Sequence, residues 1–150
     1  MTDFAFAGTQ NGVGAGGNGV FLTTDGGATF ASVLSGNATA VEFLSPSVAV
    51  AIVDGNFARS VNGGVSWSIG GSAQGRDSLF VVSNNVVLAS GRSGTFPDYD
   101  DRLFRSTDAG QSWTDLGVAI PPGANASSVV FSMPAASIVI ASDGAGNLYR

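Results

Sequence analysis

An eight-residue pattern that occurs three times constrains this chain more than any other feature. Each copy reads Ser or Thr, any residue, Asp or Asn, any residue, Gly, any residue, Ser or Thr, and an aromatic residue; the copies are residues 23–30, 60–67 and 106–113. The second copy starts 37 residues after the first, and the third starts 46 residues after the second. Repetition at such a period indicates a fold that repeats one supersecondary unit.

The residue types in the pattern predict a tight β-hairpin turn at each copy. A short polar side chain accepts hydrogen bonds from backbone N–H groups of the turn, a glycine permits a positive φ, and an aromatic residue buries apolar surface between strands. We therefore interpret these positions as structural rather than ligand-binding. They are Asp25, Gly27 and Phe30 in turn 1, Asn62, Gly64 and Trp67 in turn 2, and Asp108, Gly110 and Trp113 in turn 3.

Short apolar runs on either side of each turn predict four strands per repeat. Residues 40–69 and 77–116 each give a four-stranded unit; residues 3–33 give three strands without the innermost one, and residues 127–150 give three without the outermost one. Four-stranded units of about 40 residues are typical of β-propeller blades. Residues 1–150 are therefore predicted to form a single all-β domain, a β-propeller of about three and a half blades.

The three turns resemble the Asp-box, or BNR, repeat of sialidases, sortilin-type receptors, xyloglucan hydrolases and photosystem assembly factors. Asn62 replaces the usual Asp, and Phe30 stands where Trp is more common. The resemblance implies a propeller with more blades than one chain supplies. We therefore expect a homo-oligomer or a larger parent chain to complete it, as the end of the sequence just before a fourth turn also suggests; a closed four-bladed ring is the third alternative.

The composition excludes several classes of function. The net charge is -5 and all six cations are arginines, so the basic stripe that nucleic-acid binding requires is absent, and an anionic membrane would not attract the surface. Cysteine and histidine are both absent, which removes disulfides, thiol chemistry, the usual zinc ligands and a histidine base. No apolar run approaches the roughly 20 residues that span a bilayer, and residues 1–9 lack a signal-peptide pattern.

Three long connections are predicted on the face opposite the turns: residues 10–19, 91–101 and 118–126. Long loops on a rigid scaffold often carry binding sites, so we expect a protein or glycan partner there, with surface loops of no specific role as the alternative. Gly14, Gly16 and Gly19 match the dinucleotide fingerprint formally, but a strand rather than a helix follows them, which excludes that use.

The connection at residues 91–101 holds the ligand-binding candidates. An aromatic ring can stack on a sugar or contact a protein partner, and a guanidinium can bind an anionic group; these candidates are Arg92, Phe96 and Tyr99. Carboxylates are the ligands that calcium prefers, and Asp98, Asp100 and Asp101 supply three. Their spacing is not that of an EF-hand, and solvated loop acids are the alternative. No other cofactor is predicted.

An enzyme is the function class that the resemblance raises first. Sialidases use an arginine cluster, a tyrosine paired with a glutamate, and an acid, whereas this chain has two tyrosines, Tyr99 and Tyr149, and one glutamate, Glu42. Xyloglucan hydrolases use paired aspartates, and no pair stands out here. We therefore predict a non-catalytic structural or interaction module, self-associating or part of a larger propeller; the alternative is a fragment of a glycoside hydrolase. The compartment is undetermined, with a virion or cell surface as a candidate.

Overall fold

Four antiparallel sheets make up the part of the chain that the computed structural model describes. The backbone is described for residues 2–72, 78–95, 98–118, 130–135, 138–142 and 148–149, and side chains for residues 2–72, 78–90 and 102–116. Blade 1 contains β1 (Asp3–Ala7), β2 (Asn11–Gly16), β3 (Gly19–Thr23) and β4 (Ala31–Leu34), and blade 2 contains β5 (Ala38–Phe43), β6 (Ala49–Val53), β7 (Asn56–Ser60) and β8 (Ser68–Ser72).

Blade 3 and the fourth sheet follow the same order of strands. Blade 3 contains β9 (Leu79–Val81), β10 (Val87–Thr95), β11 (Asp98–Ser106) and β12 (Thr114–Val118), and the fourth sheet contains β13 (Val130–Ala135), β14 (Ile138–Ser142) and β15 (Leu148–Tyr149). In each sheet the strands are neighbours in the order of the sequence. The prediction of two complete units and a three-stranded last unit is confirmed, whereas the prediction that residues 3–33 form only three strands is wrong, because β1 to β4 form a complete sheet.

The glycine-rich residues 10–19 are not the loop that we predicted, because most of them form β2 and complete blade 1. Val13 and Ala15 are buried between blades 1 and 2. On the other face, an added Cβ at Gly12 would lie only 2.7 Å from the Phe6 ring. Glycine in this strand therefore reflects a close approach of a neighbouring side chain rather than a flexible connection.

Residues 91–95 and 98–101, which we also predicted as part of a loop, are the arms of a long hairpin. β10 and β11 have nine residues each and pair continuously from Val87–Ser106 to Thr95–Asp98. β9 pairs with β10 only at residues 87–89, and the pairing of β11 with β12 begins at Arg102. Among the described residues, neither β9 nor β12 pairs with residues 91–95 or 98–101, which form a two-stranded ribbon.

The hydrophobic core lies between blades rather than within them. Every residue of β6 is buried, and its side chains alternate between two clusters as strand geometry requires. Val50 and Ile52 belong to the cluster shared with blade 3, whereas Ala51 and Val53 belong to the cluster shared with blade 1. This stacking of sheets face to face fixes the position of each turn relative to the preceding blade.

Candidate functional site

The three turns share one hydrogen-bond network. In turn 1, the Thr23 hydroxyl accepts from the backbone N–H of Gly27 (2.9 Å) and donates to Asp25 Oδ1 (2.7 Å). Asp25 Oδ1 also accepts from the N–H of Thr29 (2.9 Å), and Oδ2 accepts from its hydroxyl (2.6 Å). Turn 3 repeats every bond through Ser106, Asp108, Gly110 and Ser112.

Asn62 keeps the network in turn 2 without a charge. Its Oδ1 accepts from the Ser60 hydroxyl and from the N–H of Ser66, both at 2.9 Å. Because an amide carries one acceptor oxygen and an NH₂ group, Asn62 Nδ2 donates to the Ser66 hydroxyl (2.8 Å), where the aspartates accept. The neutral side chain therefore reproduces the turn with one hydrogen bond reversed.

The carboxylates of the turns are engaged in structure. Hydrogen bonds from the Thr29 side chain and backbone lower the pKa of Asp25 to about 2, and those from Ser112 lower the pKa of Asp108 to about 2. A carboxyl group with so low a pKa is ionised at neutral pH and cannot donate a proton there. These aspartates are therefore unsuited to the general-acid role that a glycosidase requires.

Each turn contacts the neighbouring turn of its own blade, and this contact defines the two ends of a blade. The N–H groups of Gly26, Gly63 and Ala109 donate to the carbonyls of Gln10, Ser47 and Asn85, each at 2.9 Å. The connection between the first two strands therefore lies at the same end as the turn. Since strands alternate in direction, the β10–β11 ribbon lies at the opposite end, where we predicted a binding face.

The ribbon brings most of the predicted ligand-binding positions together along the backbone. Arg92 lies in β10, and Tyr99 lies in β11 with Asp98, Asp100 and Asp101. In the register of the hairpin, Arg92 is opposite Asp101, Gly94 is opposite Tyr99, and Thr95 is opposite Asp98. Phe96 lies outside the described residues, as do residues 119–126 of the third predicted connection.

The calcium site stays a prediction. Among residues whose side chains are described, no group of three or more acidic residues could hold a metal ion. Glu42 lies half-buried in β5, and burial together with the charge of Asp3 raises its pKa. Tyr149 lies in β15. Over the described residues, no helix is long and apolar enough to cross a membrane.

A groove between blades 2 and 3 is the site that sequence analysis missed. It consists of two cavities of about 260 and 210 Å³ that share Phe57, Gly70 and Gln111. Phe57 stacks on Trp113 of turn 3, with ring centroids 3.8 Å apart and an interplanar angle of 5°. Arg59 lines one cavity and donates from Nε to the Ala109 carbonyl (2.7 Å).

The groove exists because two glycines stand where blade 1 has larger residues. Aligning the turns without gaps places Gly70 and Gly71 of β8 opposite Val33 and Leu34 of β4. Val33 and Leu34 pack against the cluster between blades 1 and 2, whereas an added Cβ at Gly70 would have no heavy atom within 4 Å. A Gly-Gly pair in an outer strand is the sequence signal that could have revealed this space.

Two solved structures share the fold of this chain. The structure described as YCF48 bound to D1 peptide is 19% identical, with a TM-score of 0.59 over 95% of this chain and 48% of that chain. The crystal structure of an ancestral GH74 enzyme is 17% identical, with a TM-score of 0.64 over 94% of this chain and 21% of that chain. No protein-family model matches the chain, and no curated protein matches it.

These similarities show a β-propeller fold, as predicted. The chain spans about half the length of the first structure and about a fifth of the second. At this level of identity the likeness concerns the fold alone, since one fold hosts many functions.

Proposed function

We propose that this chain is a non-catalytic interaction module of a β-propeller, self-associating or part of a larger propeller, which binds a protein partner through the β10–β11 ribbon. The observation that carries the proposal is that, over the described part of blade 3, both strands of the ribbon continue past the residues with which β9 and β12 pair. In the described pairing, residues 91–95 and 98–101 bond only to each other. Each arm therefore offers a strand edge to which an extended peptide can add.

The composition of the ribbon favours a particular partner chemistry. Residues 91–101 contain one arginine, Arg92, and three aspartates, Asp98, Asp100 and Asp101. An excess of negative charge favours a basic, extended segment of a partner protein. The YCF48 structure holds a bound peptide, which supports a protein as the partner class. A glycan that stacks on Phe96 or Tyr99 is the alternative ligand.

A shortened hairpin tests the proposal. In this variant Asn-Gly, the residue pair of a two-residue hairpin turn, replaces residues 92–101 and joins Gly91 to Arg102. The full chain is used to select binders from a phage-displayed library of random linear peptides, and selected peptides are titrated by fluorescence polarisation. We expect enrichment of basic peptides and at least a tenfold loss of their affinity in the shortened variant, about 1.4 kcal/mol of binding free energy.

The control is Asn18→Ala. Asn18 is exposed in the turn between β2 and β3, at the end of blade 1 that corresponds to the ribbon end of blade 3. Its replacement should leave peptide affinity unchanged. Melting temperatures that agree between the variants show that the blades persist. Equal affinity in the shortened variant would refute the proposal. Binding on a glycan array that the shortened variant loses would assign the ribbon to sugars instead.

Glycoside hydrolysis is the second function class, and the likeness to the GH74 enzyme is what raises it. The two turn aspartates with lowered pKa values are held ionised within their turns and could not supply its general acid. Incubation of the chain with sialosides and β-glucans is expected to release no reducing sugar. Measurable hydrolysis that co-purifies with the chain would replace the binding proposal with the enzymatic one.

A further inference from the structure

Blade 1 presents an uncovered apolar face on the side away from blade 2. Ala5 packs against the cluster between blades 1 and 2, and Asp3 Oδ2 accepts from the N–H of Val41 (2.9 Å) in blade 2. Because successive side chains of a strand point to opposite faces, Phe4 and Phe6 face away from blade 2. Phe4 is 65% exposed and Phe6 is 41% exposed, with their ring centroids 6.3 Å apart.

The position of Phe4 is buried in the other complete blades. Phe4 pairs with Gly14, Val41 with Ala51, and Leu79 with Ala89, which are corresponding pairs in blades 1, 2 and 3. Val41 is 0% exposed and Leu79 is 9% exposed, since the preceding blade covers each of them. Phe4 is larger than either residue, and no described strand covers it.

The aromatic residue of turn 1 shows the same difference. Phe30 is 42% exposed. Its counterparts Trp67 and Trp113 are partly buried, and each packs against the cluster that its blade shares with the preceding blade. The uncovered face of blade 1 therefore includes three phenylalanines, Phe4, Phe6 and Phe30.

The glycines of the turns define what would cover this face. An added Cβ at Gly64 would lie 2.6 Å from Val13 Cγ1 of blade 1, and one at Gly110 would meet Val50 of blade 2. Each glycine thus allows its turn to pack directly on a β-branched side chain of the preceding blade. Gly27 in turn 1 has only Phe6 and Phe30 of its own blade near it.

We propose that the face formed by Phe4, Phe6 and Phe30 binds the last sheet of a second copy of this chain, so that two copies join head to tail in one ring. This inference specifies the self-association within the proposed function and does not depend on the β10–β11 ribbon. A blade of the same repeat presents the kind of surface that Gly64 and Gly110 contact. Leu88 and Leu103, on the face of blade 3 away from blade 2, are already buried, so we assign the complementary surface to the fourth sheet rather than to blade 3.

The size of the chain favours two copies. Four sheets per chain give eight sheets in a pair, within the usual range of about four to eight blades. The chain also spans 48% of the YCF48 structure, so two copies approach the length of that propeller. A contact between two different faces closes into a ring when the rotation between copies completes a circle, and two equivalent junctions would then form.

Absolute mass by light scattering behind a sizing column tests the proposal. We expect the unaltered chain to have twice the mass of 15.0 kDa, and Phe4→Glu to have the mass of one chain. Phe4 is exposed within its own chain, so the charge should leave the blades folded, which a circular dichroism melt checks. Phe30→Ser gives an independent variant of the same face. The matched control Leu116→Glu changes a residue that is 51% exposed on β12 and should remain a dimer.

Three results would overturn the proposal. The first is an unaltered chain that stays monomeric at every concentration up to about 100 μM. The second is a dimer that persists in both Phe4→Glu and Phe30→Ser. The third is a mass of the unaltered chain that corresponds to more than two copies. A single cysteine at Phe4 also tests the orientation, because the chain has no other cysteine. Head-to-tail contact separates the two Phe4 positions, so rapid formation of a Phe4→Cys disulfide dimer would refute it. The shortened hairpin should keep the dimer mass, which separates this inference from peptide binding.

Discussion

Asp25, Asn62 and Asp108 occupy the same position in three turns, and they differ in charge and in the direction of one hydrogen bond. All three oxygens accept from the backbone N–H four residues away at 2.9 Å. In Asp25 and Asp108 those bonds, with bonds from the neighbouring hydroxyls, lower the pKa to about 2. Asn62 obtains the same backbone contact with no dependence on pH. The chain thus contains its own neutral control for the charged turns.

The turn aspartates should make stability depend on pH below about pH 4. Their pKa is about 2 in the folded chain and about 3.9 in an unfolded chain. Since the folded value is the lower one, their contribution is present above pH 4 and is lost as the pH falls towards 2. We expect the melting temperature of the unaltered chain to fall more steeply over that interval than that of the Asp25→Asn, Asp108→Asn double variant.

Asn62→Asp is the converse variant, and it should steepen the same fall. Melting temperatures by circular dichroism at pH 7, 4 and 2.5 measure both effects. Identical slopes for all three chains would show that the turn carboxylates are not stabilised by folding. Asp108→Ala should lower the melting temperature at pH 7 more than Asp108→Asn, because alanine removes the acceptor of the Ser112 N–H.

At the scale of the element, outer strands differ in how completely they cover the joint between blades, that is, the packed interface between two neighbouring sheets. β4 covers its joint with Val33 and Leu34, whereas β8 has Gly70 and Gly71 at those positions and leaves the groove over Phe57 open. All five residues of β8 are exposed. The groove is therefore a consequence of two missing side chains, and its volume can be changed one residue at a time.

Gly70 and Gly71 should respond in opposite directions to alanine. An added Cβ at Gly70 meets no atom within 4 Å and no positive φ opposes it, so Gly70→Ala should raise stability by about 0.5–1 kcal/mol through the unfolded chain. Gly71 has a φ of +64°, so Gly71→Ala should lower stability by about 1 kcal/mol. Urea midpoints with equal slopes measure both. Equal changes at the two positions would show that Gly70 shares the constraint of Gly71.

At the scale of the whole molecule, each blade depends on its neighbours. The two clusters lie between blades 1 and 2 and between blades 2 and 3, so blade 2 contributes to both. Phe57 is central to the second cluster, because it stacks on Trp113 and forms a T-shaped pair with Phe104, with ring centroids 5.7 Å apart. Stability in such an array is the sum of the blades and of the joints between them.

Phe57→Ala should therefore destabilise the chain by about 3–5 kcal/mol, the usual cost of removing a buried aromatic ring. Urea unfolding followed by tryptophan fluorescence measures the loss and also detects the change around Trp113. Ile69→Ala is the control: this residue lines the same groove but is 57% exposed, and its change should be within about 0.5 kcal/mol. A loss below 1 kcal/mol for Phe57→Ala would mean that the blades do not depend on this joint.

The repeat, the turns and the propeller could be derived from the sequence because their determinants are local. Asp108 bonds to residues two and four positions away, and the glycine of each turn lies two positions from its aspartate or asparagine. Such contacts leave a fixed pattern of residue types. The same pattern predicted blade 2 over residues 40–69, and its observed strands extend from Ala38 to Ser72. The last strand, β8, begins only at Ser68, because turn 2 extends through Trp67.

Only the tertiary structure decided what depends on packing between distant segments. Residues 10–19 suggested a loop by their glycines, yet β2 is a buried strand because blade 2 covers Val13 and Ala15. Residues 91–101 also suggested a loop, and pairing across the hairpin makes residues 91–95 and 98–101 a ribbon. The groove at Gly70 and the uncovered Phe4 likewise depend on which blade lies beside which. Burial of a propeller strand depends on the sheets that pack on its two faces, and the residues of one strand do not indicate whether both sheets are present.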